Sequence, residues 1–568
     1  MRYLIQLFLL WIATASFGQS NPLLPDDVVK NIEKRIEQGV NPSIAIGIID
    51  KSGTHYYNFG LTAAKGKGVN ENTIYEIGSI SKVFTAILLA RQAQTGKLKI
   101  DDPIKGYLPS QVKVPTNGTP EITFGHLSDH TSALPRLPSN MKPANPANPY
   151  ADYTVDQLYA FLSGYELTRQ VGSAYEYSNL AQGLLGHILA LNAGTSYEIL
   201  MTKTIASPLG MKQTKITFDK KMKENLAVGH DKGVEVSNWD LPTLAGAGAI
   251  RSSTSDMLRF LSANLGLTNS TLLPAMKKTH EVRHDKAGTN RVGLGWHIAS
   301  GKEGDVIWHN GGTGGYRAFA GFVKETNKGV VVLTNSTESV DDIGIRLLNS
   351  GAVLKTIKPS IALELKKSID SNGVDAATAL YNDLKKNKPS EYDFSEDVLN
   401  TLGYSYLETN LSASLAIFKM NVDAYPTSSN VYDSYGEALL KNGQKDLAIE
   451  NYKKSVQLNP GNTSGIQALE KLGVKVEAEK VEVPESVLET YVGIYQLTPS
   501  FNITITRDGK QLFAQATGQE KFEIFAKTEN EFFLKVVNAQ INFTVTNQVV
   551  ESLTLFQSGQ QLKGKKIN

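Results

Sequence analysis

The sequence predicts a mixed α/β (α+β) protein. An antiparallel sheet is flanked by helices and carries a helical lobe, and an α-helical repeat region and a small all-β C-terminal domain follow. Three observations support this. Strand-like segments at both ends of residues 19–355 enclose helical periodicity, residues 356–475 are purely helical in pattern, and residues 491–568 alternate in short stretches. Helices packed on a sheet built from both ends of the first segment would bury the apolar faces of both.

The composition excludes several classes of function. With 58 basic and 56 acidic residues the formal net charge is +2, so the charge balance indicates neither nucleic acid nor an anionic membrane surface as a partner. The chain contains no cysteine. Disulfides, thiolate metal sites, a cysteine nucleophile and a lipidated N-terminal cysteine are therefore excluded.

Residues 1–18 have the features of a cleaved signal peptide. Arg2 is followed by a mostly apolar stretch, residues 3–17, and small residues precede Gln19. A retained membrane anchor is the alternative, but the stretch is shorter than the ~20 residues of a spanning helix. No later segment is long and apolar enough to span. We expect a periplasmic or secreted protein with no stable membrane span.

The first strands form a predicted hairpin. Residues 43–50 (SIAIGIID) are apolar and β-branched, residues 51–53 are a turn, and residues 55–59 can return antiparallel.

Residues 75–90 predict a helix that carries Ser79 and Lys82 in its first turn. Positions three apart share a helix face, so the lysine amine can reach the serine hydroxyl, and the helix N-terminus offers donors to a developing negative charge. The ordinary alternative is a serine N-cap with a solvated lysine. The apolar residues behind this pair predict one buried stripe, formed by Ile80, Val83, Phe84, Ile87 and Leu88.

The rest of the first domain alternates between helical and strand patterns. Residues up to about 267 are rich in helical periodicity, and residues 141–149 contain too much proline for regular structure. Strand patterns resume at 291–299, 306–309, 317–323 and 329–335.

The helical region, residues 356–475, contains a repeat with a period of 34 residues. The repeated positions are Phe418 with Tyr452, Val422 with Val456, and Pro426 with Pro460. This is the period of tetratricopeptide repeats, and it predicts antiparallel helices at 413–426, 431–442 and 444–460. A generic helical hairpin is the alternative. Such an array is a candidate surface for a protein partner.

A charged, proline-containing segment at 476–485 indicates a linker. Turn signals at 507–509 and 528–530 support a β domain beyond it. The predicted division of the chain is a signal peptide at 1–18, a first domain at 19–355, a tetratricopeptide-like helical region at 356–475 and a small all-β domain at 486–568.

Three further stretches could join Ser79 and Lys82 in one site. Residues 126–135 read HLSDHTSALP, residues 172–180 read GSAYEYSNL, and residues 309–319 read HNGGTGGYRAF. In order and spacing, the Ser-x-x-Lys, Tyr-Ser-Asn and His-Asn-Gly elements resemble the serine β-lactamase and penicillin-binding-protein superfamily. Within this superfamily, the sequence resembles the branch that contains class C-like β-lactamases, D-aminopeptidases and related esterases. The resemblance extends over about residues 21–353.

The resemblance implies a role for each of these residues. Ser79 would be the nucleophile, and Lys82 with Tyr177 would form the proton-transfer pair. Asn179 would hold Lys82 and the substrate carbonyl. Singly, Tyr177 could instead be a packing residue and Asn179 a helix N-cap.

The glycines of the third element would complete the site. The oxyanion would lie between the backbone N–H groups of Ser79 and Gly312, and Gly311 and Gly312 would let the backbone approach the substrate. A plain hairpin turn is the alternative for these glycines. His130 is expected in a supporting loop, in which Ala133 stands where the family usually has glycine.

His309 stands where β-lactamases carry a lysine. Histidine is shorter and mostly neutral at neutral pH, so the usual cation for a substrate carboxylate is missing and efficient β-lactam hydrolysis is not expected. Arg317 could replace that cation, or it could be a solvated strand residue.

The sequence thus predicts a secreted serine hydrolase that forms an acyl-enzyme through Ser79 and acts on an ester or a D-amino-acid-type amide or peptide. A β-lactamase or a penicillin-binding D-alanyl-D-alanine carboxypeptidase is the alternative, and a non-catalytic scaffold that uses the repeats is the second. No metal and no other cofactor is expected, because no ligand pattern is present. The expected partners are a small-molecule or peptide substrate and no nucleic acid. Either Lys82 or Tyr177 could be the base.

Overall fold

The computed structural model describes residues 23–286, 290–475, 481–498, 501–517, 519, 521–534, 537, 539–546, 549–557 and 560–567. The predicted signal peptide and residues 476–480 of the predicted linker lie outside these ranges. Within them, no helix has the length and apolar character needed to cross a membrane.

An antiparallel sheet forms the centre of the first domain. Its strands and those of two small ribbons are, in chain order, β1 (Ser43–Asp50), β2 (Gly53–Gly60), β3 (Ile74–Glu76), β4 (Gly229–Asp231), β5 (Val234–Val236), β6 (Arg251–Ser253), β7 (His284–Lys286), β8 (Asn290–Val292), β9 (His297–Gly301), β10 (Gly304–Gly312), β11 (Arg317–Val323) and β12 (Lys328–Thr334). Over the described residues the main sheet has eight strands in the order β2-β1-β12-β11-β10-β9-β8-β7, and β3 pairs with β6 and β4 with β5. The predicted sheet built from both ends of the domain is therefore confirmed.

The two halves of this sheet meet where β1 pairs with β12, from Ile44 opposite Thr334 to Ile49 opposite Gly329. β1 is apolar on both faces because helices cover both faces of the sheet. Ile44 and its alternate neighbours pack into one apolar cluster, and Ala45 and Ile49 pack into the larger one.

Helices form the outer layers and the lobe. They are α1 (Asp26–Glu37), α2 (Ser81–Gln94), α3 (Phe124–Ser128), α4 (Val155–Gly164), α5 (Asn179–Asn192), α6 (Tyr197–Met201), α7 (Lys220–Glu224), α8 (Ala245–Gly248), α9 (Thr254–Leu265), α10 (Leu273–Thr279) and α11 (Asp341–Leu348), with 3₁₀ turns at Gly78–Ile80 and Ile104–Tyr107 and a π turn at Thr202–Ala206. α1 and α11 cover one face of the sheet, and the others lie on the opposite side.

Three local predictions were wrong. The helix predicted at 75–90 begins only at Ser81, because Ile74–Glu76 form β3 and Gly78–Ile80 a 3₁₀ turn. α2 does not have one buried stripe, since all its residues from Ser81 to Ala90 are buried between the sheet and the lobe. The stretch 291–299 is not one strand, because a turn that contains Gly295, with φ of +71°, separates β8 from β9.

The helical region consists of α12 (Ile361–Asn372), α13 (Val374–Asn387), α14 (Glu396–Tyr406), α15 (Leu411–Ala424), α16 (Ser429–Lys441), α17 (Lys445–Leu458) and α18 (Thr463–Lys471). The three predicted helices correspond to α15, α16 and α17, and the tetratricopeptide assignment stays a prediction. Val234 of β5 is buried in the apolar cluster of this region. The helical region therefore packs directly against the β4–β5 hairpin of the first domain.

The C-terminal domain begins with α19 (Glu485–Tyr491), which the sequence analysis missed, and continues as β13 (Gly493–Thr498), β14 (Phe501–Asp508), β15 (Gln511–Ala516), β16 (Lys521–Ala526), β17 (Glu531–Leu534), β18 (Ala539–Thr546), β19 (Val549–Gln557) and β20 (Gln560–Lys566). These strands form a closed barrel in chain order, which confirms the predicted all-β domain. Lys527 and Gln540 each donate a hydrogen bond to the Leu458 carbonyl at 2.9 Å, so the barrel contacts the end of α17.

Candidate active site

Ser79 lies in the 3₁₀ turn that joins β3 to α2, just before the α-helix rather than within its first turn. Ile77 and Ile80 are fully buried and fix this turn. Gly78 has φ of +49°, a conformation that a residue with a Cβ rarely adopts. Ser79 itself is half-buried, so its side chain remains open to a ligand.

Lys82 is fully buried, and its amine contacts the serine. The Nζ atom lies 2.9 Å from Ser79 Oγ and donates a hydrogen bond to the Ala247 carbonyl at 2.7 Å. Asn179, which the sequence predicts to hold this amine, is not one of its partners. Burial, with a smaller contribution from the charge of Arg136, lowers the pKa of Lys82 well below its ordinary value. The amine is therefore suited to accept a proton at neutral pH.

Tyr177 lies in the segment before α5, and its hydroxyl is a hydrogen-bond partner of Ser79. The Lys82 Nζ atom lies 4.9 Å from the centroid of the tyrosine ring. Burial raises the pKa of Tyr177 to about 12, although the Ser79 hydrogen bond and the charge of Arg136 oppose it. A neutral phenol beside a neutral amine places one proton donor and one acceptor at the serine.

His130 holds the Tyr177 segment in position. Its Nδ1 accepts a hydrogen bond from the Ser178 N–H at 3.1 Å, its carbonyl accepts one from the Glu176 N–H at 2.7 Å, and its ring stacks on Tyr177 at 4.6 Å. Burial lowers the pKa of His130 well below its ordinary value, so the ring stays neutral and Nδ1 remains an acceptor. The position of His130 agrees with the supporting role predicted for it. Ala133 of the same loop has φ of +62°.

Asn179 is the first residue of α5, and its side chain faces Tyr150. Its Oδ1 atom is buried and has no hydrogen-bond partner among the residues that the structure describes. An unpartnered amide oxygen at the edge of the site is available to a substrate N–H group.

The end of β10 brings Gly311 and Gly312 beside Ser79, and both glycines lie within the strand rather than in a turn. An added Cβ at Gly311 would overlap the Ile77 carbonyl oxygen and lie 3.1 Å from Ser79 N. An added Cβ at Gly78 would lie 2.6 Å from Gly312 N. The backbone segments of Ser79 and Gly312 therefore meet at the closest approach that glycine allows.

His309 is buried on β10 between the rings of neighbouring residues. Its Nδ1 lies 2.5 Å from the Asn310 carbonyl oxygen, so this nitrogen carries the hydrogen and donates it. Its Nε2 has no hydrogen-bond partner within the described ranges. Burial, followed by the effects of His297 and Lys82, lowers the pKa of His309 well below its ordinary value. The residue is neutral, as the sequence analysis argued.

Arg317 is not directed to Ser79. It pairs with Gly312 across β10 and β11, so its side chain lies on the face opposite to that of Gly311. Its guanidinium donates to the carbonyls of Thr313 and Tyr316, both at 3.0 Å. This arginine holds the turn between the two strands.

Sequence reasoning missed four residues of the site: Arg136, Tyr150, Ala247 and His297. Their only link to Ser79 is tertiary packing. Arg136 alone had a local signal, because it directly follows the HTSALP stretch.

Comparisons with known proteins match the domain that holds this site and, separately, the C-terminal domain. A sequence model of the family described as Beta-lactamase matches residues 28–351, and a model described as a domain of unknown function (DUF3471) matches residues 477–568. The chain belongs to the beta-lactamase family.

Relatives within the beta-lactamase family cover the same region. The D-alanyl-D-alanine-carboxypeptidase/endopeptidase AmpH of Escherichia coli (strain K12) is 30% identical over 336 residues, which cover 56% of this chain and 86% of AmpH. A Beta-lactamase of Pseudomonas fluorescens is 28% identical over 346 residues, which cover 54% of this chain and 92% of the relative.

Solved structures of class C beta-lactamases are also similar. The enzyme from Rhodobacter sphaeroides has a TM-score of 0.50 and 25% identity, and the match covers 56% of this chain and 96% of that enzyme. Another class C beta-lactamase has a TM-score of 0.51 and 26% identity, with 58% and 97% covered. The first domain is therefore class C-like, and the protein is a serine hydrolase of the beta-lactamase family.

Proposed function

We propose that the protein hydrolyses an ester or a D-amino-acid-type amide or peptide through an acyl-enzyme on Ser79. The observation that carries this proposal is the 2.9 Å separation between Ser79 Oγ and the buried Lys82 amine, whose pKa is lowered well below its ordinary value. A serine hydroxyl becomes an effective nucleophile only when a base can take its proton.

In this mechanism Lys82 accepts the Oγ proton while Ser79 attacks the substrate carbonyl carbon. The backbone N–H groups of Ser79 and Gly312 bind the negative oxygen of the tetrahedral intermediate. Tyr177 donates its proton to the leaving alcohol or amine and regains one from the Lys82 ammonium. Water then attacks the carbonyl carbon of the acyl-enzyme ester, and Lys82 and Tyr177 again transfer the protons. The acid product leaves, and Ser79 regains its proton.

A D-alanyl-D-alanine carboxypeptidase or a β-lactamase is the second candidate. The likeness to AmpH favours the former and the likeness to class C beta-lactamases the latter. The neutral His309 argues against the latter, because a lysine there would provide a permanent cation. The pattern of residues 1–18 supports a periplasmic or secreted location.

Covalent labelling tests the nucleophile. A fluorophosphonate probe should modify the wild-type protein on the peptide that contains Ser79, as identified by mass spectrometry. Ser79→Ala should abolish labelling and turnover while the thermal unfolding midpoint stays close to that of the wild type, because the change removes a single half-buried hydroxyl. Persistent labelling or turnover in a folded Ser79→Ala protein would rule out this mechanism.

A further inference from the structure

The side chain of Arg136 lies over the site and has no polar partner of its own. Its guanidinium carbon lies 5.3 Å from the centroid of the Tyr177 ring, and the residue is exposed. Across the described part of the chain, its side chain forms no hydrogen bond and no ion pair. Arg251, by contrast, is already paired with Glu76 at 3.1 Å.

The backbone holds Arg136 in this position. Its carbonyl oxygen accepts hydrogen bonds from the Asn179 N–H at 3.0 Å and the Leu180 N–H at 3.2 Å, at the start of α5. The preceding Pro135 carbonyl accepts one from the Ser178 hydroxyl at 2.6 Å. Since α5 begins at Asn179, two residues after Tyr177, Arg136 and the proposed proton donor are fixed to the same helix end.

The charge of Arg136 reaches the reacting groups. After burial, Arg136 is the next cause that lowers the pKa of Lys82. It also opposes the rise that burial causes in the pKa values of Tyr177, Tyr175 and Tyr150. Two of these four side chains, Lys82 and Tyr177, interact with Ser79.

The other basic side chains do not supply a permanent cation here. His309 is neutral, the Lys82 amine is buried against the Ala247 carbonyl, and Arg317 donates to two backbone carbonyls on the other face of the sheet. An exposed guanidinium with free N–H groups can bind a carboxylate through two parallel hydrogen bonds.

We propose that Arg136 is the residue that binds a substrate carboxylate, so that the site selects carboxylate-bearing esters or amides over neutral ones. This proposal rests on the proposed function for turnover, but the binding of a carboxylate does not require chemistry at Ser79. Arg136 thereby takes the role of substrate cation, one of the two roles that the sequence left open for Arg317.

A matched pair of substrates tests the proposal. Mono-p-nitrophenyl adipate and p-nitrophenyl hexanoate have acyl chains of the same length and differ in the terminal carboxylate. We expect Arg136→Gln to lower kcat/KM for the adipate by about tenfold or more, mainly through KM, and to change that for the hexanoate less than about threefold. Arg136→Lys should restore part of the loss, and added salt should weaken the wild-type preference.

Arg259→Gln is the matched control, because Arg259 is exposed on α9 and the same charge is removed away from Ser79. Arg259→Gln should leave the ratio of the kcat/KM values for the two substrates unchanged. An equal loss on both substrates in Arg136→Gln would assign Arg136 a role in positioning or in tuning Tyr177, and would overturn the proposal. Unchanged kcat/KM values for both substrates in Arg136→Gln would overturn the proposal as well.

Calorimetry separates this result from a failure of the proposed function. In the Ser79→Ala background, the adipate monoester should bind more tightly than the hexanoate ester. The added Arg136→Gln change should weaken the binding of the adipate monoester and leave that of the hexanoate ester unchanged. If the wild type hydrolyses neither ester but this pattern holds, the proposed function fails and the carboxylate site stands. Equal binding of both esters with and without Arg136 would reject the carboxylate site whatever the turnover.

Discussion

At the scale of single residues, burial moves the pKa values of Lys82 and Tyr177 in opposite directions. It lowers that of the amine and raises that of the phenol to about 12, so burial favours the neutral form of both side chains. This assigns the amine as base and the phenol as acid in the proposed mechanism, a choice that the sequence leaves open.

The pH dependence of turnover follows from this assignment. As pH falls, Lys82 is protonated and activity is lost, but only at a pKa well below that of an ordinary lysine. As pH rises, Tyr177 keeps its proton until about 12, so kcat/KM for a neutral ester should stay level on the alkaline side. The measurement is a profile from about pH 4 to about pH 10, corrected for spontaneous hydrolysis.

Tyr177→Phe is the control for this profile, because it should lower the rate and keep the acid limb where it is. An activity that climbs steadily toward high pH in the wild type and loses that climb in Tyr177→Phe would instead identify the phenolate as the base.

His309 should influence substrate choice through its lack of charge. We expect the wild type to hydrolyse short-chain p-nitrophenyl esters with a higher kcat/KM than a chromogenic cephalosporin. His309→Lys should shift the ratio toward the cephalosporin, since a lysine adds a cation and favours the Tyr177 phenolate. Both substrates are measured on both variants at one pH and ionic strength. A wild-type preference for the cephalosporin would contradict this role of His309.

At the scale of elements, two parts of the site have an unusual backbone arrangement. The loop that contains His130 and Ala133 has a left-handed conformation, and the end of β10 approaches Ser79 closely. The buried Ala133 has φ of +62°, a region that costs roughly 1–2 kcal/mol for residues other than glycine and excludes β-branched side chains.

The loop can be tested with two substitutions of Ala133. Ala133→Val should lower the free energy of unfolding by about 2–3 kcal/mol, because it adds β-branching and volume at a buried left-handed position. Ala133→Gly should change it by less than about 1 kcal/mol, since relief of strain offsets the added freedom of the unfolded chain. Denaturant unfolding measures both. Similar losses in the two variants would mean that packing of the methyl group, not backbone conformation, dominates this position.

The approach of β10 to Ser79 predicts a large effect for Gly311→Ala. The new Cβ would overlap the Ile77 carbonyl oxygen and force the strand away from Ser79, so the proposed oxyanion site should open. We expect kcat for an ester to fall by about 10²-fold or more. Gly68→Ala is the matched control, because an added Cβ there meets no atom within 4 Å. If Gly311→Ala kept near-normal turnover, the close approach would be unrelated to catalysis.

Local sequence patterns were sufficient for the parts of the site that lie within short motifs. Ser79 and Lys82 are three residues apart on one chain segment, and Gly311 and Gly312 follow His309 after Asn310 on the same strand, so their proximity is encoded by spacing. The Ala247 carbonyl reaches Lys82, and the Arg136 guanidinium reaches the Tyr177 ring, only through packing of α8 and α5. The full burial of α2 depends in the same way on layers from distant segments, which periodicity within α2 does not reveal.

At the scale of the whole molecule, the helical region is the bridge between the hydrolase domain and the barrel. Leu363 packs against Gly39, and Val234 is buried among the helices, while Thr401 donates a hydrogen bond to Asp231 at 3.4 Å. None of these contacts involves a residue proposed to act on substrate.

Stepwise truncation tests how independent the domains are. A chain that ends after Lys475 should keep both the activity on a small ester and the unfolding midpoint of the hydrolase domain. A chain that ends after Val353 should also fold and stay active, but with a midpoint lower by a few degrees, because exposure of the Val234 surface costs roughly 1–3 kcal/mol. Thermal unfolding and ester turnover measure both truncations. A folded but inactive shorter chain would show that the C-terminal regions complete the site.

The pairing of β1 with β12 also sets a time order for biosynthesis. Ile49 can pair at once with Thr54 of β2, but it must wait for Gly329, 280 residues later in the chain, before the other edge of its strand is paired. At translation rates of about 5–20 residues per second, this interval is roughly 15–60 s. During it the SIAIGIID segment, apolar on both faces, has β2 as a partner but lacks β12 and the later helices α9 and α11. The nascent chain therefore depends on chaperones, or on transient packing within its own first half, to avoid aggregation before the catalytic sheet can close.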